Sequence, residues 1–170
     1  MSDQYPPQNP YAQQPEPTGP GGEPPLWAPY YGISFGKAFS RFFKKYATFS
    51  GRASRSEFWW WYLANVIIGV VLGVLAAIGA ATSDIRVDSV TGQTTGGFSA
   101  LYWIVVVISI VWGLAIVVPS LALGWRRLHD ANLSGALWII AIFVNIVGLV
   151  FGLLPSNPQG ARFDRPEGAR

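Results

Sequence analysis

The sequence has 170 residues, of which 51% are hydrophobic and only 12% are charged, and its formal net charge at pH 7 is +3. This high apolar content predicts one small membrane domain with a tail and argues against a water-soluble domain of this length. With no cysteine and a single histidine, the chain excludes disulfides, cysteine nucleophiles and thiolate or multi-histidine metal sites, and no cofactor is expected.

Residues 1–33 are rich in proline, glutamine and glycine. A segment of this composition cannot bury enough apolar surface to offset the entropy lost on ordering, so we predict a disordered tail. The alternative is a docking tail for a proline-recognising partner, but no P-x-x-P cluster with flanking basic residues supports it. A second short tail is predicted at residues 166–170.

The hydrophobic pattern of residues 34–50 predicts an amphipathic helix with Ser34 as its N-cap. Its aromatic residues recur at spacings of three and four, while four cations lie mainly on the opposite side. The aromatic residues are Phe35, Phe39, Phe42, Phe43, Tyr46 and Phe49, and the cations are Lys37, Arg41, Lys44 and Lys45. This pattern favours a helix that lies in the lipid headgroup layer. The alternative is that the aromatic face packs against the transmembrane helices, and both can hold together.

Three uncharged apolar stretches follow, each close to the ~20 residues that span a bilayer. They are residues 58–81, 100–124 and 136–154. Ser54 and Glu57 fit a capping box at the start of the first stretch, and the Trp-Trp-Trp-Tyr run at 59–62 is typical of a membrane interface. We therefore predict an all-α integral membrane protein. Its membrane domain, at 34–165, has three transmembrane helices preceded by an amphipathic interfacial helix.

The distribution of lysine and arginine predicts the orientation of the chain. With the N-terminus in the cytoplasm, eight of the twelve basic residues face inward and four face outward, which favours an external C-terminus. A third segment that folds back would instead place the C-terminus inside. The basic residues gathered before the first span also indicate a membrane-surface patch rather than a nucleic-acid site.

Two short motifs rich in arginine adjoin the spans, and in this topology both face the cytoplasm. The first contains Arg52, Arg55 and Glu57, and the second contains Arg126, Arg127, His129 and Asp130. One interpretation is structural: the arginines reach lipid phosphates and pair with the acids, which fixes helix packing. Another is a site for lipid headgroups or another anion, since the guanidinium fork suits phosphate. A catalytic His129–Asp130 pair is the third, although adjacent helical residues point in different directions and no nucleophile is tied to them by spacing.

Small residues mark predicted helix contacts. Gly69 and Gly73 are four apart in the first apolar stretch, and Gly148 and Gly152 are four apart in the third. This spacing allows helix backbones to approach closely, either within the three-helix unit, which we favour, or across a dimer face. The spans contain few polar side chains, so a permeation path has little support.

The chain resembles the domain of unknown function 805 family in two segments, YATFSGRASRSEFWWW at residues 46–61 and PSLALGWRRLHDANLSG at residues 119–135. The resemblance covers roughly residues 35–165. The Trp pair that is usual after the Ser-Gly is displaced by Ala136 and Leu137, and the usual Gly-x-Asn-Arg-aromatic-Gly motif is partly matched at residues 160–164. The resemblance implies a small protein of the bacterial inner membrane and implies no reaction.

The expected function is non-enzymatic. We expect a bacterial plasma-membrane component, embedded in the lipid bilayer, that binds anionic headgroups or an unknown membrane or cytoplasmic protein. Nucleic acid is not expected as a partner. The alternative is a membrane enzyme or transporter subunit that uses Glu57, His129 and Asp130.

Overall fold

The computed structural model describes residues 22–164, so the predicted tail at 166–170 and most of the predicted N-terminal tail lie outside the described residues. The described chain is mostly helical. Its helices are α1 Phe35–Lys44, α2 Arg55–Ala81, α3 Ala100–Asp130, α4 Trp138–Phe143 and α5 Asn145–Leu153. An antiparallel hairpin of β1 Asp84–Val87 and β2 Thr94–Gly97 joins α2 to α3, and 3-10 helices cover Gly135–Leu137 and Pro158–Phe163.

Helices α2 and α3 are long and apolar enough to cross a membrane. With 27 and 31 residues, they extend ~40 and ~46 Å, more than the ~30 Å of a bilayer core. They run antiparallel: Gly79 of α2 lies against Tyr102 of α3 at one end, and the Ala53 amide donates to the Arg126 carbonyl at the other. Only 11% and 6% of the residues in their most apolar stretches are buried, so their exposed surface suits lipid rather than water.

The capping box predicted at the start of α2 is confirmed. The Ser54 hydroxyl accepts from the Glu57 amide at 3.1 Å, and the Glu57 carboxylate accepts from the Ser54 amide at 2.8 Å. These bonds satisfy N–H groups that the start of a helix otherwise leaves without partners. Since Ser54 is fully buried, they fix the point at which the polar chain enters the apolar helix.

The third apolar stretch is not one helix, and the predicted third transmembrane helix is not confirmed. Val144, with φ −127° and ψ 86°, separates α4 from α5. The two helices fold back on each other: the rings of Trp138 and Phe151 lie 6.0 Å apart, and an added Cβ on Gly148 would lie 3.5 Å from that of Ala141. With six and nine residues, they extend about 9 and 14 Å, which is about a third and about half of the thickness of a bilayer core. Hydropathy cannot distinguish this hairpin from a span, because both are apolar throughout.

The hairpin of α4 and α5 returns the chain to the end from which it entered. The Gly51 amide donates to the Phe163 carbonyl at 3.0 Å, and the Asn157 amide donates to the Asp130 carbonyl at 2.7 Å. These contacts favour the alternative in which the third segment folds back, and the expectation that the two ends of the chain lie on opposite sides is not confirmed for the described residues. The count of basic residues behind that expectation treated the third stretch as a crossing. We call this end of the molecule, formed by residues 22–57, 122–137 and 152–164, the polar end.

Helix α1 packs its aromatic face against α2 and α3. It ends at Lys44 rather than near residue 50, and Ser34 has an extended N-cap backbone but no side-chain cap hydrogen bond. Phe42 stacks on Trp61 with ring centroids 3.3 Å apart, and Phe43 lies edge-on to the same ring at 5.8 Å. This face therefore contacts protein, as the alternative interpretation of the pattern proposed.

The cations of α1 and its C-cap do not share one environment. Lys37 and Lys44 are exposed, as the amphipathic pattern predicts, whereas Arg41 and Lys45 are only 6% and 1% exposed. Part of their cover comes from residues 22–34, which we call the N-terminal strap. The strap contains the buried Ala28 and Ile33, so this part of the segment expected to be disordered is packed in the structure.

The four glycines predicted at helix contacts have different surroundings. An added Cβ on Gly69 or Gly73 would meet no heavy atom within 4 Å, so the described chain does not provide the internal contact that we favoured for this pair. A dimer face at these two glycines of α2 stays a prediction. Gly152, in contrast, lies against the ring of Phe58. Gly148 lies where α5 packs against α4, next to Ala141 and Trp138.

Close packing at Gly124 provides a test of this fold. An added Cβ on Gly124 would overlap the ring of Trp138, so we expect Gly124→Ala to destabilise the protein, because overpacking costs roughly 1–3 kcal/mol. Gly69→Ala is the control, and it should keep or raise stability through a better helix propensity worth up to ~1 kcal/mol. Thermal unfolding in detergent compares the two variants. Equal shifts would contradict the placement of the hairpin against α3.

Candidate functional site

Most of the charged side chains of the two arginine-rich motifs meet at the polar end in two groups, and each group is centred on one carboxylate. The first, which we call the Glu57 cluster, contains Arg41, Lys45, Glu57 and Arg126. The second, which we call the Asp130 cluster, contains Tyr31, Arg52, Arg127, Asp130, Ser156 and Asp164.

Glu57 is 4% exposed, and both of its carboxylate oxygens have partners. Oε1 lies 2.8 Å from Nε of Arg41 and 3.7 Å from Nζ of Lys45. Oε2 accepts from the backbone N–H groups of Ser54 and Tyr30, at 2.8 and 3.2 Å. Burying a carboxylate is costly unless donors replace water. These donors come from α1, its C-cap, the start of α2 and the strap, so one carboxylate connects all of these segments.

The strap supplies the remaining partners of Arg41. Nη1 donates to the Pro24 carbonyl at 3.0 Å, and Nη2 donates to the carbonyls of Pro25 and Ala28 at 2.6 and 2.7 Å. Proline offers a carbonyl oxygen and has no backbone N–H that needs a partner of its own. The proline-rich strap therefore satisfies a guanidinium that the sequence pattern had placed on a solvent face.

Lys45 and Arg126 bring more positive charge than the carboxylate of this cluster balances. Lys45 is 1% exposed, and its Nζ donates one long hydrogen bond, 3.4 Å to the Arg52 carbonyl. Burial lowers the pKa of Lys45 to about 7, although Glu57 opposes the shift. Arg126 is also 1% exposed. Its Nε donates to the Ala122 carbonyl at 3.1 Å, while its Nη1 has no acceptor within residues 22–164.

Asp130 is fully buried and accepts hydrogen bonds from three side chains. Oδ2 accepts from Nη1 of Arg127 at 2.7 Å and from the Ser156 hydroxyl at 2.5 Å, and Oδ1 accepts from the Tyr31 hydroxyl at 2.7 Å. Burial, reinforced by the Asp130 charge, raises the pKa of Tyr31 and so keeps its hydroxyl protonated as a donor. The carboxylate therefore holds the last turn of α3 to the strap and to the segment after α5.

Arg52 joins this cluster to a second acid near the end of the described chain. Its Nε and Nη2 donate to Asp164 at 3.0 and 2.7 Å, and its Nη1 lies 3.9 Å from Asp130. Two nitrogens on one carboxylate form a directional, charge-assisted contact. Arg52 thus fixes the C-terminal segment beside the loop that precedes α2.

His129 and Arg55 lie outside both clusters. Nδ1 of His129 lies 3.0 Å from the Gly51 carbonyl, and its ring stacks on Phe163 at a centroid distance of 4.0 Å. The neighbouring Asp130 is bonded to other side chains, so the two residues do not have the geometry of a catalytic pair. Arg55 is exposed, and its Nε donates to the Leu154 carbonyl at 2.8 Å.

Sequence reasoning missed several members of these clusters. They are Tyr31, Arg41, Lys45, Ser156 and Asp164. Arg41 and Lys45 did carry a signal, because they continue the stripe of Ala38 and Phe42 at a spacing of three and four. The buried side of α1 could have been identified from that stripe. Tyr31 and Ser156 lie far from the arginine-rich motifs in sequence, and no local pattern marks them. Asp164 lies in the partly matched motif at residues 160–164, at the position where Gly is usual.

The chemistry of the two clusters is that of ion pairs and hydrogen bonds. Within residues 22–164, no group of three or more His, Asp or Glu side chains is placed to hold a metal ion. Both buried carboxylates already accept hydrogen bonds from nitrogen or hydroxyl donors, as buried polar groups in folded proteins usually do. The excess of positive charge in the Glu57 cluster makes that cluster suited to an anion.

Comparisons with known proteins agree with the membrane character of the chain. The model of the family described as "Protein of unknown function (DUF805)" matches residues 46–165. The chain is 35% identical to inner membrane protein YhaI of Escherichia coli (strain K12) over 105 residues, 62% of this chain and 70% of that protein. It is 31% identical to inner membrane protein YhaH of the same strain over 125 residues, 71% of this chain and 87% of that protein. No solved structure matches the chain significantly.

A pair of acidic residues tests the structural importance of the Asp130 cluster. We expect Asp130→Asn to lower the free energy of unfolding in detergent by on the order of 3–5 kcal/mol, because it leaves the buried Arg127 without its anion. Asp84→Asn is the control. It removes a partner of Arg86 in a pair whose side chains are 75% and 79% exposed, and it should change stability by less than about 1 kcal/mol. If both variants unfold at the same temperature, Asp130 does not have the role described.

Proposed function

The chain belongs to the DUF805 family, whose function is unknown, and on that premise we propose that it is a non-catalytic component of the bacterial inner membrane that binds anionic lipid headgroups at its polar end. In this proposal α2 and α3 cross the bilayer, and the polar end faces the cytoplasm.

The observation that carries this proposal is the one-sided distribution of basic residues. Of the ten lysines and arginines between positions 22 and 164, nine lie at the polar end, and Arg86 lies on the β hairpin at the other end of α2 and α3. An excess of positive charge marks the cytoplasmic side of inner membrane proteins. The folded-back hairpin of α4 and α5 strengthens the asymmetry, because it places Arg162 with the other basic residues.

Exposed cations on α1 and at the start of α2 are the proposed contacts for headgroups. We call Lys37, Lys44 and Arg55 the cationic rim; all three are exposed. Nearby, the partly exposed rings of Phe35 and Trp60 meet edge-on at 5.7 Å. Aromatic rings beside basic side chains are typical of the headgroup level, where each cation near an anionic surface contributes roughly 1 kcal/mol.

An apolar groove beside the rim favours lipid over a protein partner. It has a volume of about 400 Å³ and lies on α2 directly after Arg55. Its lining consists of Ser56, Trp59, Trp60, Tyr62, Leu63 and Val66. A lipid whose headgroup meets Arg55 would have its acyl chain at the level of this groove. One outcome of the lipid-binding experiment described below would favour a protein partner instead.

The alternative, an enzyme or transporter subunit that uses Glu57, His129 and Asp130, finds less support. Glu57 and Asp130 are buried and accept hydrogen bonds within their clusters, and the His129 ring is stacked on Phe163. A general acid or base must reach a substrate atom at hydrogen-bond distance. None of these three groups is presented to a substrate in this arrangement, and we therefore favour the non-catalytic function.

The topology can be tested with reporter fusions. We expect a fusion after Arg170 and a fusion at the N-terminus both to report the cytoplasm, because the hairpin of α4 and α5 returns the chain to the polar end. A reporter inserted at Gly92, in the turn between β1 and β2, should report the periplasm. A periplasmic signal after Arg170 would mean that the third apolar stretch crosses the membrane, and it would contradict this topology.

Lipid binding can be tested on the full-length protein with phosphatidylglycerol as the anionic probe and phosphatidylcholine as the neutral one. Replacing Lys37, Lys44 and Arg55 together by Gln should weaken phosphatidylglycerol binding on the order of 100-fold, since each cation contributes roughly 1 kcal/mol. The control, Arg86→Gln, changes a cation at the opposite end and should leave binding unaltered. Binding is measured by native mass spectrometry.

If the wild-type protein binds both lipids equally, or if Arg86→Gln weakens binding as much as the triple replacement, the rim does not bind headgroups. Unselective lipid binding together with retention of a second protein during purification would favour the protein-partner function.

A further inference from the structure

We propose that the Glu57 cluster is an internal site for a small inorganic anion such as chloride, held by Lys45 and Arg126. This inference goes beyond the proposed function and is independent of it, because the cationic rim lies on the surface and contributes no residue to the site.

The first argument is charge. Three cations, Arg41, Lys45 and Arg126, surround one carboxylate, Glu57, and all four residues are at least nine-tenths buried. Isolated charges are costly to remove from water unless they are paired. Glu57 is already the close partner of Arg41, with Nε and Oε1 2.8 Å apart. Nζ of Lys45 lies farther from the same oxygen, at 3.7 Å. With Lys45 protonated, three positive charges face one negative charge, so the cluster keeps an excess of two positive charges.

The second argument is the geometry of the donors. Nη1 of Arg126 is buried and has no acceptor in the part of the chain that the structure describes. Nζ of Lys45 has three N–H bonds and makes one long hydrogen bond, to the Arg52 carbonyl. A buried donor without an acceptor costs about 1–3 kcal/mol. An anion within reach of both side chains would accept hydrogen bonds from both and would also reduce the charge excess.

Burial limits the size of the anion. Lys45 and Arg126 are each 1% exposed, and the strap lies over the neighbouring Arg41 through three carbonyl contacts. A phospholipid carries its phosphate on glycerol and acyl chains, so its headgroup could enter only if the strap moved away. A monatomic anion is smaller and requires only a few donors, so the site is committed to an anion of chloride size.

Loss of a proton from Lys45 is the competing way to remove the charge excess. Lys45 faces Arg41 on α1, Glu57 on α2, Arg126 on α3 and the carbonyl of Arg52. Its pKa of about 7 means that near neutral pH the ammonium and the amine are both populated. The unfolded chain keeps this proton up to a pKa of about 10.4, so stability should rise with pH across this window. A bound anion favours the ammonium, and its stabilising effect must therefore decrease as the pH rises.

The experiment uses the full-length protein in a neutral detergent, with chloride compared with gluconate at equal ionic strength. At about pH 6, where Lys45 is protonated, chloride should raise the unfolding temperature by on the order of 3 °C and do so in proportion to the logarithm of its concentration. At about pH 9, where Lys45 is neutral in the folded protein, the difference between the two salts should be much smaller.

Two neighbouring lysines provide a matched pair of variants. Lys45→Met removes one of the two anion contacts and should abolish most of the chloride effect, whereas Lys44→Met changes the adjacent exposed lysine and should retain it. Arg126→Gln should also lose the effect. If Arg126→Gln does not fold, the comparison of Lys45→Met with Lys44→Met decides alone.

Two results would overturn the proposal. The first is a wild-type protein with the same unfolding temperature in chloride and in gluconate at about pH 6, which would mean that chloride does not bind the cluster even when Lys45 is charged. The second is a chloride effect that Lys45→Met retains in full, which would identify a salt effect that does not depend on this cluster.

Discussion

The arrangement of the polar end depends on how one buried carboxylate, Glu57, is satisfied. A carboxylate at the start of an apolar helix must find donors within the protein, because burial has removed its water. Ser54 supplies an amide from the turn that begins α2, Arg41 supplies a guanidinium from α1, and Tyr30 supplies an amide from the strap. Segments that are separate in sequence are thereby tied to the first turn of α2. The polar groups of these segments share partners, so the position of each one constrains the others.

The second constraint is the length of α3. A helix of 31 residues extends about 46 Å, which exceeds a bilayer core of about 30 Å. In the proposed topology its last turns, which contain Arg126, Arg127 and Asp130, therefore have to emerge from the apolar region. At this end the structure covers them with protein: the strap on one side and the segment after α5 on the other. Charged residues that the sequence pattern assigned to lipid phosphates are thus largely paired within the protein, and the exposed cationic rim is the part that we propose to meet lipid.

The parts of this structure that could be predicted from sequence are those set by local patterns. The two long helices follow from apolar length, and the start of α2 follows from the Ser54–Glu57 spacing, since both depend on residues close in sequence. The break at Val144 could not be predicted, because it turns one apolar stretch into two apolar helices and leaves the hydropathy unchanged. The burial of Arg41 and Lys45 was also missed. The stripe that they share with Ala38 and Phe42 marks the buried side of α1, but it does not identify the partners that the strap and α2 provide.

The two clusters differ in how much of them falls within the family match at residues 46–165. The pairs Arg127–Asp130 and Arg52–Asp164 lie inside it, and Nε of Arg127 also donates to the Gly152 carbonyl at 3.4 Å. The contacts that hold the returning hairpin therefore belong to the matched region. Arg41, Lys45 and the strap precede that region, so the Glu57 cluster is completed by residues outside it. Similarity over the matched region thus supports a shared membrane fold, while the proposed anion site has to be established on this chain itself.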